Sequence, residues 1–181
     1  LFVAVIVLLV KKSFARVKLY LYRLASGLLI ALTFFGIVYA PLYNRLPVVE
    51  ALAISDAAVT EEQVFLAAEY YVGRLNEVSD RLSRDEQGAV LPPHSFSETS
   101  ALINAGFSAF EGGYFAEYAV RPKQVALSVP MSYLGITGIY FPFTAEANVN
   151  VNIPAYELPF TMAHETAHAR GVSRENEANI A

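Results

Sequence analysis

The stretch Thr161-Met162-Ala163-His164-Glu165-Thr166-Ala167-His168 holds two of the chain's three histidines, four residues apart, with a glutamate directly after the first. On a helix that spacing puts both imidazoles one turn apart on the same face. Their nitrogens can then reach a single Zn²⁺ at ~2.0–2.1 Å. Glu165 sits beside the first histidine, placed to touch a metal-activated water without ligating the metal. Residues 155–162, Ala-Tyr-Glu-Leu-Pro-Phe-Thr-Met, are mostly apolar. A helix buried behind them would carry two imidazoles at a cost unless something pairs them, which separates a ligand pair from two incidental surface histidines.

Two histidines need a third ligand. Glu175 and Glu177 follow closely, and His94 is a more distant option. Gly171 supplies a tight left-handed stop after the first helix, and Ser173 is placed to cap a second. That second helix can fold Glu175 back towards the metal. Asn179 lies four residues on, shares its face, and can hydrogen-bond a ligand from behind. Glu177 points about 160–200° away from both, so Glu175 and Glu177 cannot both face the zinc. Glu175 is preferred, with Glu177 as the alternative third ligand. Arg174, six residues after His168, cannot ligate.

The elements that must hold this group can be read further upstream. Asn148, Asn150 and Asn152 alternate with Val149, Val151 and Ile153, a period of two that predicts a strand over 147–153 with the asparagines on one face. Residues 136–143 and 125–129 are two further predicted strands. Pro159 suits the first turn of the histidine helix, which is expected to run through Arg170. Thr60 and Gln63 form a capping box ahead of a long amphipathic helix over 61–83. Ser97 is the expected cap of another, ending near Phe110 before Glu111-Gly112-Gly113. The asparagine face and the aromatics Tyr133, Tyr140 and Tyr156, with His94, are noted as possible cleft groups; none is assigned to catalysis.

Charge divides the chain. Residues 1–41 hold Lys11, Lys12, Arg16, Lys18 and Arg23 and no acid. The other eight basic residues and all 17 acids, a formal −9, fall in 42–181. Residues 1–10, LFVAVIVLLV, read as the tail of one transmembrane helix. Leu24 to Leu42 is long enough to span, and Tyr20, Tyr22, Tyr39 and Tyr43 bracket it as interfacial anchors. The basic loop between them stays cytoplasmic by the positive-inside rule, so residues from about 44 onward are expected outside the cytoplasm. The lipid membrane is one expected partner. Nucleic acid is excluded, because the acidic part would repel phosphate. The absence of Cys excludes a disulfide framework, a cysteine zinc site and a thiol nucleophile. The chain starts inside an apolar run and stops inside a helical one, and reads as a piece cut at both ends.

With these residues in view, the His-Glu-x-x-His helix resembles the zincin metallopeptidases. Glu175 with Asn179 is similar to the gluzincin third-ligand pattern, although gluzincins place that glutamate farther downstream. The string GIYFPFTAEANVNVNIPAYELPFTMAHETAHARGVSRENEANIA, Gly138 to Ala181, resembles a bacterial membrane family, domain of unknown function thirty-eight ten. The resemblance covers the whole chain and is strongest over its last 50 or so residues. It implies N-terminal transmembrane helices ahead of an extracytoplasmic domain, with further segments at both ends.

The expected fold is therefore α+β. Residues 1–43 form the transmembrane region, and 44–181 form a C-terminally truncated zincin-like domain with a small sheet over the His-Glu-x-x-His helix. The expected activity is that of a membrane-anchored zinc metallopeptidase acting on peptides or proteins outside the cytoplasm. His164, His168 and Glu175 hold the Zn²⁺, and Glu165 takes a proton from water and returns it to the leaving amine. The alternative is a membrane-tethered structural or sensory zinc-binding module without hydrolytic activity.

Overall fold

The structure is a computed structural model that describes residues 14–55, 57–110 and 113–181. The chain divides into two compact units, one ending at Asn44 and one running from Arg45 to Ala181.

The first unit is dominated by helix α1, Phe14–Val38, followed by a 3-10 turn, Ala40–Asn44. Together they are long and apolar enough to cross a membrane, a length and composition that a signal sequence shares. Leu28, Leu29 and Ile30 are exposed on this helix. Arg16, Lys18 and Arg23 lie on this helix, which corrects the expectation of a loop around Arg16 and Lys18. The apolar run 1–10, with Lys11 and Lys12, lies outside the described residues.

The second unit mixes helices with a small sheet, an α+β arrangement. After a short helix α2, Val48–Ala51, comes α3, Glu61–Ser79. Its capping box is complete: Thr60 Oγ1 accepts from the Gln63 amide at 3.2 Å, and Gln63 Oε1 accepts from the Thr60 amide at 2.8 Å. Helix α4 is Phe96–Ala109. Its cap is Ser95, not Ser97, because Ser95 has Glu98 three residues on to close the reciprocal box.

Three strands follow: β1 (Lys123–Gln124), β2 (Gly138–Phe141) and β3 (Glu146–Val149), with helix α5 (Ser128–Tyr133) between the first two. The sheet order is β1-β3-β2, with β3 parallel to β1 and antiparallel to β2. The strand expected at 125–129 is not formed. Ser128 instead begins α5, with its hydroxyl on the Val125 carbonyl at 2.6 Å, and Pro130 fits the open first turn.

The strand expected over 147–153 stops at Val149 and its alternation breaks there. Asn150 is wholly buried, while Val151 is exposed. Asn150 Nδ2 donates to the Ile136 carbonyl at 2.8 Å and to Ser132 Oγ at 3.0 Å, and its Oδ1 accepts from the Asn152 amide at 2.8 Å. An amide that satisfies this many backbone and hydroxyl partners is turned inward, whatever the period of two prefers.

Helix α6, Leu158–Ala169, packs against β2 and β3 and also against α4. Small residues permit both contacts. Ala167 joins Phe107, Phe115 and Val48 in one apolar cluster, and Ala169 joins Ala147 and Val120 in another. A short helix α7, Glu175–Ala178, follows and touches α6. Its cap residue is Arg174, extended and without a side-chain cap bond, while Ser173 is buried just before it.

Candidate metal centre

Helix α6 opens with Pro159 in its first turn and ends at Gly171, whose φ of +99° is left-handed. Between these stops His164 and His168 stand one turn apart, with ring centroids 4.7 Å apart and planes nearly perpendicular at 86°. The reversal at Gly171 brings α7 back across them. Glu175 Oε2 then lies 3.0 Å from His164 Nε2 and 3.4 Å from His168 Nε2, and the two Nε2 atoms are 3.1 Å apart.

The far sides of both rings are engaged. His168 Nδ1 is 2.7 Å from the Val172 carbonyl oxygen, which can only accept, so Nδ1 carries the proton. His164 Nδ1 is 2.9 Å from Asn179 Oδ1, with the same consequence. With Nδ1 engaged on the far side, each imidazole turns its Nε2 inward. The third inward group is a carboxylate oxygen. Two imidazole nitrogens and a carboxylate oxygen thus converge on one point, a set that a cation could bind. Ligands at ~2.0–2.1 Å around a tetrahedral Zn²⁺ are separated by edges of ~3.3 Å. The separations of 3.0, 3.1 and 3.4 Å form one face of such a tetrahedron. The donor set of two imidazoles and a carboxylate suits zinc chemically, and among the described residues no His, Asp or Glu joins it as a fourth. Among the described residues, these three form the one group of His, Asp or Glu close enough to hold an ion.

Glu165 lies on the same helix and is not one of the three converging groups. Its side chain is pressed against Gly138 at the start of β2, where a Cβ would collide with its carboxylate. Oε2 is buried with no hydrogen-bond partner among the described residues. Burial, with a smaller contribution from the Glu175 charge, pushes its pKa up to about 8. A buried carboxyl poised near neutrality beside a candidate cation site is a candidate proton carrier.

The other sequence-derived candidates fall in different places. Glu177 is buried and its Oε1 accepts from Arg174 Nη1 at 2.8 Å, so it serves the packing of α7. His94 sits just ahead of α4, outside the three-residue group. Tyr133 and Tyr156 are exposed. Tyr140 stacks on His168 with centroids 6.0 Å apart, and burial raises its pKa. Asn150 is sealed in the interior, which removes it from any cleft face.

Several supporting residues were not singled out from sequence. Arg170 is buried, donating to the Ala116 carbonyl and to Asn104 Oδ1, both at 3.0 Å. Asn104 also closes a pair with Val120, accepting from its amide and donating to its carbonyl at 2.8 Å each. Gly138 is needed for its missing Cβ, and a glycine opening a strand is the trace of such close approach. The Val172 carbonyl leaves no trace in the sequence.

The fold and this site define a class: a mixed helix-and-sheet domain that follows an apolar helix and gathers two helical histidines and a glutamate around one point. The chain belongs to the family described as "Protein of unknown function (DUF3810)", whose model matches residues 1–181. No curated protein and no solved structure matches it.

Proposed function

We propose that this protein is a membrane-anchored zinc metallopeptidase with a zincin-like domain that hydrolyses peptide bonds outside the cytoplasm. One observation carries the reading. His164, His168 and Glu175 aim three acceptor atoms at one point with the edge lengths of a zinc tetrahedron, beside a buried glutamate that none of them uses.

A bound Zn²⁺ would supply the Lewis acidity, polarising a scissile carbonyl and easing the loss of a proton from water. The chain's own residues do the rest. His164 and His168 would hold the ion through Nε2, each ring oriented by the group behind its Nδ1. Glu175 adds a negative charge and completes the face. Glu165 takes the water's proton at its carboxylate and delivers it to the leaving amine, so its charge cycles within the pocket formed with Gly138. Three protein ligands with an open vertex are the pattern of catalytic zinc, whereas structural zinc is closed by four. The basic residues ahead of the apolar stretch support an extracytoplasmic domain. A reporter fused after residue 50 is expected to be active outside the cytoplasm and silent inside.

The test compares the full chain with Glu165→Gln in a peptide-library digest, with zinc content measured on both. Both are expected to hold one zinc, and the variant to cleave ~10²–10⁴-fold more slowly. Equal cleavage would remove Glu165 from the chemistry. Zinc-loaded wild type that cleaves nothing would instead establish the structural or sensory module.

A further inference from the structure

Four successive carbonyls at the end of α6 are taken by four different donors. The Tyr118 hydroxyl donates to the Ala169 carbonyl. The Ala116 amide donates to that of Arg170 at 3.1 Å. Arg45 Nη1 donates to that of Gly171 at 2.9 Å. His168 Nδ1 donates to that of Val172 at 2.7 Å. A helix leaves its last carbonyls orphaned, and partners there fix the path of the chain that follows. The first two donors belong to the loop after α4. The third comes from Arg45, the first residue of the second unit and 126 positions away in sequence.

We infer that Arg45 is a positioning residue for the metal centre, acting through the Gly171 turn on the carbonyl that fixes the tautomer of His168. The guanidinium spans the turn: Nη1 holds the Gly171 carbonyl and Nη2 the Tyr114 carbonyl. The Tyr114 ring stacks beneath it, 4.5 Å from the guanidinium carbon. The φ of +99° at Gly171 is left-handed and calls for glycine, and a Cβ there would displace Arg45 Nη1. The residue after Gly171 is Val172, whose carbonyl His168 uses. A planar fork suits this role better than an ammonium, because it reaches two carbonyls at once and stacks on a ring. Without it the Gly171 carbonyl loses the one charged donor it has among the described residues, the turn is freer to rotate, and the Val172 carbonyl moves with it.

The tautomer is a property of the metal-free chain. Only the consequence for zinc rests on the function proposed above, since outer-shell partners of this kind typically change metal affinity 10–100-fold. The chain has three histidines, so ¹⁵N-histidine labelling of the full chain in detergent gives a small set of ring signals. At alkaline pH, without metal, wild-type His168 is expected as a single Nδ1–H tautomer. Arg45→Ala is expected to show a mixture and to bind zinc at least ~10-fold more weakly. Arg45→Lys, which keeps the charge and one donor, is expected to fall between them and covers the case in which Arg45→Ala does not fold. Tyr114→Phe is the matched control. It removes the hydroxyl bond to the Leu46 carbonyl but leaves the ring under Arg45, and both readouts are expected to stay wild-type. A single Nδ1–H tautomer in both Arg45 variants would overturn the inference, as would equal changes in Tyr114→Phe. If the tautomer responds and no form binds zinc, the metal reading fails while the positioning role stands.

Discussion

Helices α3 and α6 were both legible from spacing, and they ended in opposite circumstances. Helix α3, Glu61–Ser79, has Val64, Phe65, Tyr71, Val72 and Leu75 along its length, yet none of its 19 residues is buried. Helix α6 has 12 residues, of which seven are buried, among them Thr161, Glu165, Thr166 and His168. The helix richer in large apolar side chains is the one left in the open. The helix that enters the interior carries alanines, hydroxyls and ionisable groups. Burial here follows shape: small residues let α6 approach the sheet and α4 together, and the polar groups it carries inward must then be paired or used. Helix α3 is held as a helix by its own capping box and by the pair of Arg74 with Glu77 at 2.7 Å.

The contrast can be tested by disturbing each helix. The largest effect is expected at the ligands. With zinc at a thousand times its Kd, wild type gains about 4 kcal/mol of stability over the chelated protein. His168→Ala is expected to show no such gain, measured as the difference in Tm with and without chelator.

The second effect is a pH dependence of the metal-free protein. Glu165 titrates near the ordinary carboxylate value of about 4.5 when unfolded and is pushed up to about 8 when folded. Below 4.5 both states are protonated and nothing is lost. As pH rises from 4.5 through 8 the unfolded state ionises first, and the folded state loses on the order of a few kcal/mol relative to it. Glu165→Gln cannot ionise. Chelated wild type is therefore expected to fall below the variant in Tm as pH rises across that window. Parallel curves for the two proteins would show that Glu165 is not held protonated.

Gly138→Ala comes next. The new methyl would press on the Glu165 carboxylate, at an expected cost of about 1–3 kcal/mol in denaturant unfolding and a lower cleavage rate with zinc retained. The smallest effect is reserved for α3. Leu75→Ala changes an exposed side chain and is expected to alter stability by no more than about 0.5 kcal/mol in the same measurement. A loss of several kcal/mol there would mean that α3 is packed after all, and the contrast would collapse.

What could be read from sequence was whatever short-range geometry dictates. The four-residue spacing of His164 and His168, the Thr60–Gln63 box, Pro159 and the Gly171 stop are all local, and all reappear in the structure. Where two local readings competed, the wrong one could win. Ser97 was read as the cap, but it is Ser95, with Glu98 three residues on, that closes the box. The run Val125 to Val129 was β-prone, but Ser128 closed a turn on the Val125 carbonyl and started a helix. Asn150 fitted a period of two until buried acceptors claimed its amide. Groups supplied from far along the chain were beyond reach. Nothing near His168 announces that Arg45 holds the turn behind it, or that Gly138 faces Glu165.

The central claim is that His164, His168 and Glu175 form a metal site while Glu177 belongs to the scaffold. Competition titration of Zn²⁺ on the full chain, Glu175→Ala and Glu177→Ala tests it most directly. Wild type is expected to bind one zinc. Glu175→Ala is expected to bind at least ~100-fold more weakly, more than loss of an outer-shell partner costs. Glu177→Ala is expected to keep its zinc affinity and lose stability, because the bond from Arg174 Nη1 to its buried carboxylate is removed. Zinc affinity that survives Glu175→Ala but falls with Glu177→Ala would contradict the account.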